Sequence, residues 1–301
     1  MLFCPECKSP LESVDGNYTC TDGGHSYSER EGIVQLSVTP SDKQHYYPDD
    51  AFEILYQSEE RSFWFRVRNR IIKNTIAQFL APHARILEVG CGTGFVSQYL
   101  KKTGFHVECA DLFFEALHFC KKRDSGFVYY QYNLSDEIFF EEFDGIGAFD
   151  VLEHIEDDTT TLRTIYDALK PGGMIFITVP ADMRLWSAMD EYAEHKRRYS
   201  AQDLRKKLED NRFKVKKLTY FMTLLLPVLR ISRKWSSRRG SINTKADTEA
   251  AKNEALKELH LNPVLNLVFY LIFVLEVPLI RFLDFPSGSS ILCVAMKETR
   301  P

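Results

Sequence analysis

Between residues 85 and 180, short continuous apolar runs alternate with stretches in which apolar residues recur every three or four positions. Continuous runs of this kind suit strands buried on both faces, and the wider spacing suits helices lying against them. The runs at 86–89, 107–110, 127–132, 145–149 and 174–179 predict strands. Helices are predicted at 96–102, ended by Gly104, and around Leu162, Ile165 and Leu169, closed by Lys170-Pro171-Gly172-Gly173. Upstream, Phe65, Ile72, Ile76 and Phe79 share one face of a helix that starts near Ser62. Downstream, Ser200 caps a helix carrying Leu204 and Leu208, 213–220 predicts a further strand, and 290–296 predicts the last. Such alternation means an α/β protein with a parallel, doubly wound sheet that binds ligands above the C-terminal ends of its strands.

Two regions break the rhythm. Residues 1–40 are cysteine-bearing and poor in apolar residues, and they read as a small unit of their own, with polar 41–50 as a linker. Near the other end, apolar 221–231 runs into Arg230, Arg233, Lys234, Trp235, Arg238 and Arg239. A polar helical stretch follows, then a second apolar run at 264–275 that Glu276 and Pro278 interrupt short of the roughly 20 residues that span a bilayer. The resulting division is 1–40, 41–82, 83–220, 221–287 and 288–301.

Composition sharpens this picture. An apolar content of 45% supports a large core, and a net charge of −4 excludes a uniformly basic nucleic-acid binder. The average conceals an asymmetry, because 196–240 holds 15 Lys and Arg against 3 acids, a local +12. Met1-Leu2-Phe3-Cys4 lacks the basic start and apolar run of a secretory signal. Clustered early cysteines and scattered later ones predict a cytoplasmic protein with a metal site rather than disulfides.

The chemistry gathers at Arg85-Ile86-Leu87-Glu88-Val89-Gly90-Cys91-Gly92-Thr93-Gly94. Glycines after a buried strand turn the chain tightly into a helix, and their bare backbone lets a ligand approach the helix N–H groups. Seventeen residues past Gly94, the next strand delivers Asp111, placed to hold two ribose hydroxyls. The G-x-G-x-G spacing differs from the G-x-G-x-x-G of a dinucleotide site. The string closely resembles motif I of the class I S-adenosylmethionine-dependent methyltransferases, with Asp111 matching their strand-two acid. That resemblance runs from about residue 85 to 221 and resumes in the last strand. It implies a Rossmann-like, seven-stranded methyltransferase sheet, with S-adenosyl-L-methionine held by Glu88, Gly90, Cys91, Gly92, Thr93, Gly94, Asp111, Leu112, Asn133, Leu134 and Asp150. Relatives usually carry aspartate where Asn133 stands, and an asparagine carbonyl also accepts the adenine amino hydrogen bond.

Further motifs extend the likeness. Asp150-Val151-Leu152-Glu153-His154-Ile155 resembles the segment after the family's fourth strand, which places Glu153 and His154 at the mouth of the site. Phe63-Trp64-Phe65-Arg66 resembles a segment that caps the cofactor pocket in one branch, which implies contacts from Trp64 and Arg66; an aromatic face attracts a sulfonium. The same branch carries a loop over the substrate like the one here containing Trp186, Asp190, His195, Arg197, Arg198 and Tyr199. A protonated acceptor needs a base, and His154 is the first candidate and His195 the second.

Cys4-Pro5-Glu6-Cys7 makes one metal knuckle, and Cys20 with His25 completes a set for structural Zn2+, since forty residues bury too little surface to fold unaided. The segment looks like the zinc ribbon preceding the methyltransferase domain of some ribosomal-RNA guanine methyltransferases, although the gap before His25 is one residue wider. Three functions remain open at this point. The first is methylation of a small apolar or lipid-like acceptor by an enzyme attached peripherally to an anionic membrane on its inner face, through the apolar and basic segment. The second is RNA methylation, with ribbon and basic strip on the phosphates. The third is a non-catalytic zinc-ribbon binding module.

Overall fold

The computed structural model describes residues 1–37, 50–227, 229 and 261–298. It opens with four short antiparallel strands, β1 (Leu11–Val14), β2 (Asn17–Cys20), β3 (Ser26–Arg30) and β4 (Ile33–Gln35). Helices α1 (Ala51–Ser58) and α2 (Phe63–Phe79) follow. The alternating part then runs β5 (Arg85–Val89), α3 (Phe95–Lys101), β6 (His106–Asp111), α4 (Phe114–Arg123), β7 (Val128–Gln131), β8 (Phe143–Phe149), α5 (Asp158–Ala168) and β9 (Leu169–Pro180). Short α6 (Ala188–Tyr192), α7 (Ala201–Asp210) and β10 (Phe213–Phe221) come next, then α8 (Pro263–Phe273), α9 (Glu276–Ile280) and β11 (Ser290–Lys297).

The strands lie in the order β1-β2-β3-β4-β7-β6-β5-β8-β9-β11-β10. From β7 to β10 this is the expected seven-stranded Rossmann-like sheet, parallel through β9, with β11 antiparallel to both β9 and β10. The winding reverses between β5 and β8, and the crevice at that reversal is where an open α/β sheet binds its ligand. Strand β5 is buried at Ile86, Leu87 and Val89, and α2 covers one face with Val67, Ile71, Ile72 and Ile76. The Lys170-Pro171-Gly172-Gly173 stretch read as a helix closure belongs to the start of β9, with Gly172 at φ 78° and a register irregularity opposite Phe143 and Gly145.

The first strands continue this sheet. Ile33, Val34 and Gln35 pair in parallel with Tyr129, Tyr130 and Gln131, and Phe3 N–H donates to the Ile138 carbonyl at 3.0 Å. Cys4, Leu11, Cys20, Val34 and Leu36 share one core with Tyr130, Tyr132, Ile138 and Phe139. The open edge of β7 is thereby closed by chain that has few apolar residues of its own.

At the far end α8 and α9 lean on α2. Phe63 meets Phe269 edge to face at 5.2 Å and stacks on Phe273 at 5.5 Å, and Arg66 lies over the Tyr270 ring at 4.1 Å. Asn266, polar in an apolar helix, accepts from Phe63 N–H at 2.7 Å and donates to the Arg61 carbonyl at 2.6 Å. Glu276 interrupts the apolar run because its carboxylate caps the turn after β10, accepting from the N–H groups of Met222 at 2.7 Å and Thr223 at 2.9 Å. The basic strip Arg230, Arg233, Lys234, Trp235, Arg238 and Arg239 lies outside the described residues.

Candidate active site

The turn after β5 is shaped for close approach. Gly90, Gly92 and Gly94 all have positive φ, which only glycine adopts without strain, and a Cβ at Gly92 would meet no atom within 4 Å. That open space is where a ligand lies against backbone. Asp111, at the end of β6, accepts from Gly92 N–H at 2.9 Å and Phe113 N–H at 3.0 Å. Burial pushes its carboxyl up to about 6, against those hydrogen bonds. Glu88 is buried beneath the turn, bonded to the Ser97 hydroxyl and pushed up to about 8 by burial, and it ties β5 to α3.

Above the turn sits α1, a helix the sequence pattern does not announce. Its C-terminal Glu59 takes the Thr93 hydroxyl and pairs with Arg123 at 2.7 Å, so α1 is latched directly onto the glycine turn. Burial raises Glu59 to about 7 despite Arg123.

These elements enclose a cavity of about 1050 Å3. Of the expected cofactor residues, Trp64, Glu88, Gly90, Cys91, Gly92, Thr93, Asp111, Leu112, Asn133, Leu134 and Asp150 line it. Gly94 instead stands behind the wall as the N-cap of α3. Asn133 spends its carbonyl oxygen partly on Ser135 N–H at 3.0 Å. Arg66 turns away to Tyr270, and Arg68 reaches the cavity in its place, with Nε 2.7 Å from Asp150 and its guanidinium 5.2 Å from the Trp64 ring centre. Asp150 is held at φ 57°, a strained conformation for an acid at the end of β8.

Opposite lies a cluster of titratable side chains. His154 and His195 meet edge to face at 4.7 Å. Burial, then the neighbouring His195, drives His154 down to about 3, so it stays neutral at physiological pH and is a weak proton acceptor. His195 is oriented: its Nδ1 bonds Asp190 at 2.8 Å, and Arg198 also grips Asp190 at 2.7 Å. Burial works to raise Asp190, but the hydrogen bonds from His195 and Arg198 hold it below the usual carboxylate range. The other ring nitrogen, Nε2, lies 4.0 Å from Glu153. Glu153 is fully buried, neither oxygen has a hydrogen-bond partner among the described residues, and burial followed by the charge of Asp150 raises it well above its ordinary value. Glu153, His154 and His195 offer ligand atoms within 4.8 Å of one another.

The rest of the expected substrate loop divides. Asp190 and Arg198 line the cavity together with His195. Trp186 bonds Glu191 instead, Arg197 binds Asp158 and the Glu156 carbonyl, and buried Tyr199 bonds Asp158 at 2.7 Å. These three shape the loop from outside. Part of the remaining wall is apolar, with Phe63, Leu225, Leu229, Leu261 and Phe269, and polar side chains such as Ser135, Glu156 and Lys196 line the rest.

In the N-terminal strands Cys4, Cys7, Cys20 and His25 present four ligand atoms within 4.8 Å of one another, with Cys4 Sγ to His25 Nδ1 at 3.4 Å and Cys7 Sγ to Cys20 Sγ at 3.2 Å. The Tyr27 hydroxyl lies 3.3 Å from Cys4 Sγ. Two knuckles facing each other in this way have the donor number and type of a closed tetrahedral zinc site.

Comparison with known proteins agrees with this geometry. A family model described as a methyltransferase domain matches residues 56–218, just over half of the 301. A ubiquinone biosynthesis O-methyltransferase of Xylella fastidiosa is 34% identical over 101 residues, 32% of this chain and 41% of that protein. One from Xanthomonas campestris is 31% identical over 108 residues, 34% of this chain and 45% of the relative. The chain thus spans less than half the length of these curated relatives. Among solved structures, an S-adenosylmethionine-dependent methyltransferase from Archaeoglobus fulgidus superposes with TM-score 0.52 at 18% identity, covering 82% of this chain and all of that one. A complex of the Haloferax volcanii Trm112 methyltransferase activator with a methyltransferase gives 0.54 at 16% identity, covering 84% of this chain and all of the matched chain. The chain belongs to the methyltransferase-domain family.

Proposed function

We propose that this enzyme moves the methyl group of S-adenosylmethionine to an oxygen of a small, lipid-like acceptor at a membrane surface. The observation that carries the reading is the two-ended cavity: a nucleoside end at Gly92 and Asp111, and an apolar end walled by Phe63, Leu225, Leu261 and Phe269. At the first end Asp111 takes the ribose hydroxyls, Asn133 and Leu134 the adenine, and Trp64 faces the sulfonium. The methyl group is already activated, so the chain aligns the acceptor and excludes water.

An acceptor hydroxyl must lose its proton as it attacks. His195 is the base in this reading, because Asp190 fixes its Nδ1–H and leaves Nε2 to take the proton. His154 packs against it as a neutral spacer. The trio of Glu153, His154 and His195 would equally hold a divalent cation that acidifies the hydroxyl. Turnover that survives a chelator assigns the proton to His195 alone. The ubiquinone biosynthesis relatives support an oxygen acceptor with apolar character.

Structural Zn2+ at Cys4, Cys7, Cys20 and His25 would hold β1–β4 together and brace the loop carrying Asn133 and Leu134, since Phe3 bonds Ile138 just beyond it. Membrane attachment is supported by the outer face of α8 and α9, where Leu267, Leu271, Leu275 and Leu279 are exposed beside Phe282 and Leu283. Pro263–Ile280 is an 18-residue stretch of mean hydropathy 2.2, apolar and long enough to cross a bilayer, yet Glu276 and Asn266 fasten it to the protein surface. We read it as lying in the interface.

Calorimetry tests the cofactor end. Gly92→Arg fills the open space at the turn and should abolish S-adenosylmethionine binding. Asp111→Ala should weaken it by about 1–3 kcal/mol, the scale of a hydrogen bond to a charged group. Unchanged affinity in both variants would overturn the assignment.

A further inference from the structure

Three thiols meet at the glycine turn, and although Cys91 lines the cofactor cavity, the methyl transfer just described uses none of their sulfur atoms. Cys91 lies in the turn, Cys109 in β6 and Cys120 in α4, and their sulfur atoms all lie within 4.8 Å of one another. All three are free, and each comes from a different element, so the meeting is tertiary. Sulfur ligands about 2.3 Å from one ion sit roughly 4 Å apart, a separation this trio accommodates. The trio is reachable, because Cys91 lines the cavity wall. It also touches the cofactor turn from below: a Cβ at Gly94 would lie 2.3 Å from Cys120 Sγ, and Cys109 Sγ donates to the Ser97 hydroxyl at 3.1 Å. Among the described residues the clustered ligand atoms are all sulfur, and a set of soft donors selects a soft ion.

We propose that Cys91, Cys109 and Cys120 form a binding site for one soft cation of the copper(I) class, and that filling it opposes cofactor binding. The three thiols lose their protons to solvent as three metal–sulfur bonds form, and no electron is transferred. Drawing the sulfurs around one ion moves Cys91 within the turn and Cys120 against Gly94, which displaces the backbone that the cofactor approaches. Linkage makes the effect reciprocal, so bound cofactor also weakens copper(I). The coupling half rests on the cofactor assignment above; the metal half does not.

The test uses the full zinc-loaded chain under argon, titrated with copper(I) buffered by bicinchoninate. The N-terminal cysteines take copper equally in wild type and variants, so the difference reports the trio. Cys109→Ala combined with Cys120→Ala should bind one copper(I) fewer than wild type. Copper(I) should weaken S-adenosylhomocysteine binding about tenfold or more in wild type and leave it unchanged in the double variant, a coupling of ordinary allosteric size. Equal copper stoichiometry overturns the site. One copper fewer with no change in S-adenosylhomocysteine affinity overturns the coupling. If wild type binds no S-adenosylhomocysteine even without copper, the cofactor reading fails while the stoichiometry still decides the site. Should the double variant not fold, the single variant Cys120→Ser replaces it: it should bind one copper(I) fewer than wild type at the same buffered copper(I), and an equal stoichiometry overturns the site.

Discussion

The sheet carries an addition at each edge, and the two are built in opposite ways. At the β7 edge, β1–β4 join by backbone pairing and by a core shared with Tyr130 and Phe139, and four side chains of metal-ligand type gather where apolar bulk is lacking. Near the β10 edge, α8 and α9 have more apolar surface than the fold can bury. Phe273, Val277 and Ile280 face inward, while Leu267, Leu271 and Leu275 are 54%, 56% and 64% exposed. One region is short of burial and is completed from within; the other has a surplus and calls for something outside. A surplus beside the apolar end of the cavity is what an enzyme drawing its acceptor from lipid would carry.

The sharpest way to break this contrast is at the ribbon. Cys4→Ser with Cys7→Ser should remove the one zinc found by metal analysis, and with it much of the roughly 10 kcal/mol such sites contribute. Hydrogen exchange should then rise across β1–β4 and through 133–139, where Phe3 bonds Ile138. A wild-type chain purified without chelator that holds no zinc contradicts the ribbon reading.

The second test separates the two faces of α8. Phe273→Ala, on the inner face, should cost about 3–5 kcal/mol in denaturant melts. Leu267→Asp with Leu271→Asp, on the outer face, should change stability by only about 0.5 kcal/mol per site yet abolish sedimentation with anionic liposomes. If the outer pair unfolds the protein, that face is buried against something else and the contrast fails.

How much of this could be read beforehand depended on whether the signal was local. The strands were legible because continuous apolar runs such as 86–89 and 145–149 have one physical use, and the spacing of Gly92 and Asp111 pointed to the turn that lines the cavity. What stayed hidden depended on tertiary placement. Arg66 and Arg68 are two positions apart on α2, so they face opposite sides, and only packing against Tyr270 decides which reaches the cavity. The two histidines are alike in sequence, yet desolvation disarms half-buried His154 while Asp190 orients His195. Helix α1 is eight residues long and follows a polar stretch, and its key residue, Glu59, looks like any surface acid until Thr93 and Arg123 close on it.

Between the two edges, the cofactor turn should respond to pH. Burial raises Asp111 from 3.8 to about 6, so its carboxylate is formed above that value and lost as pH falls through it. S-adenosylmethionine affinity should therefore be flat from pH 8 to 7 and about tenfold weaker by pH 5, close to 1.4 kcal/mol. Asp111→Asn should flatten that profile, and a profile unchanged by the substitution would place the titrating group elsewhere.

The acceptor decides the account. The enzyme would be incubated with methyl-labelled S-adenosylmethionine and, in parallel, with total lipid and total RNA extracts, with Gly92→Arg as the inactive control. We expect label in an organic-soluble product from the lipid extract, dependent on His195 and absent with Gly92→Arg. Label in RNA, with none in the lipid phase, would contradict the lipid-acceptor reading and assign the cavity to a nucleic-acid substrate.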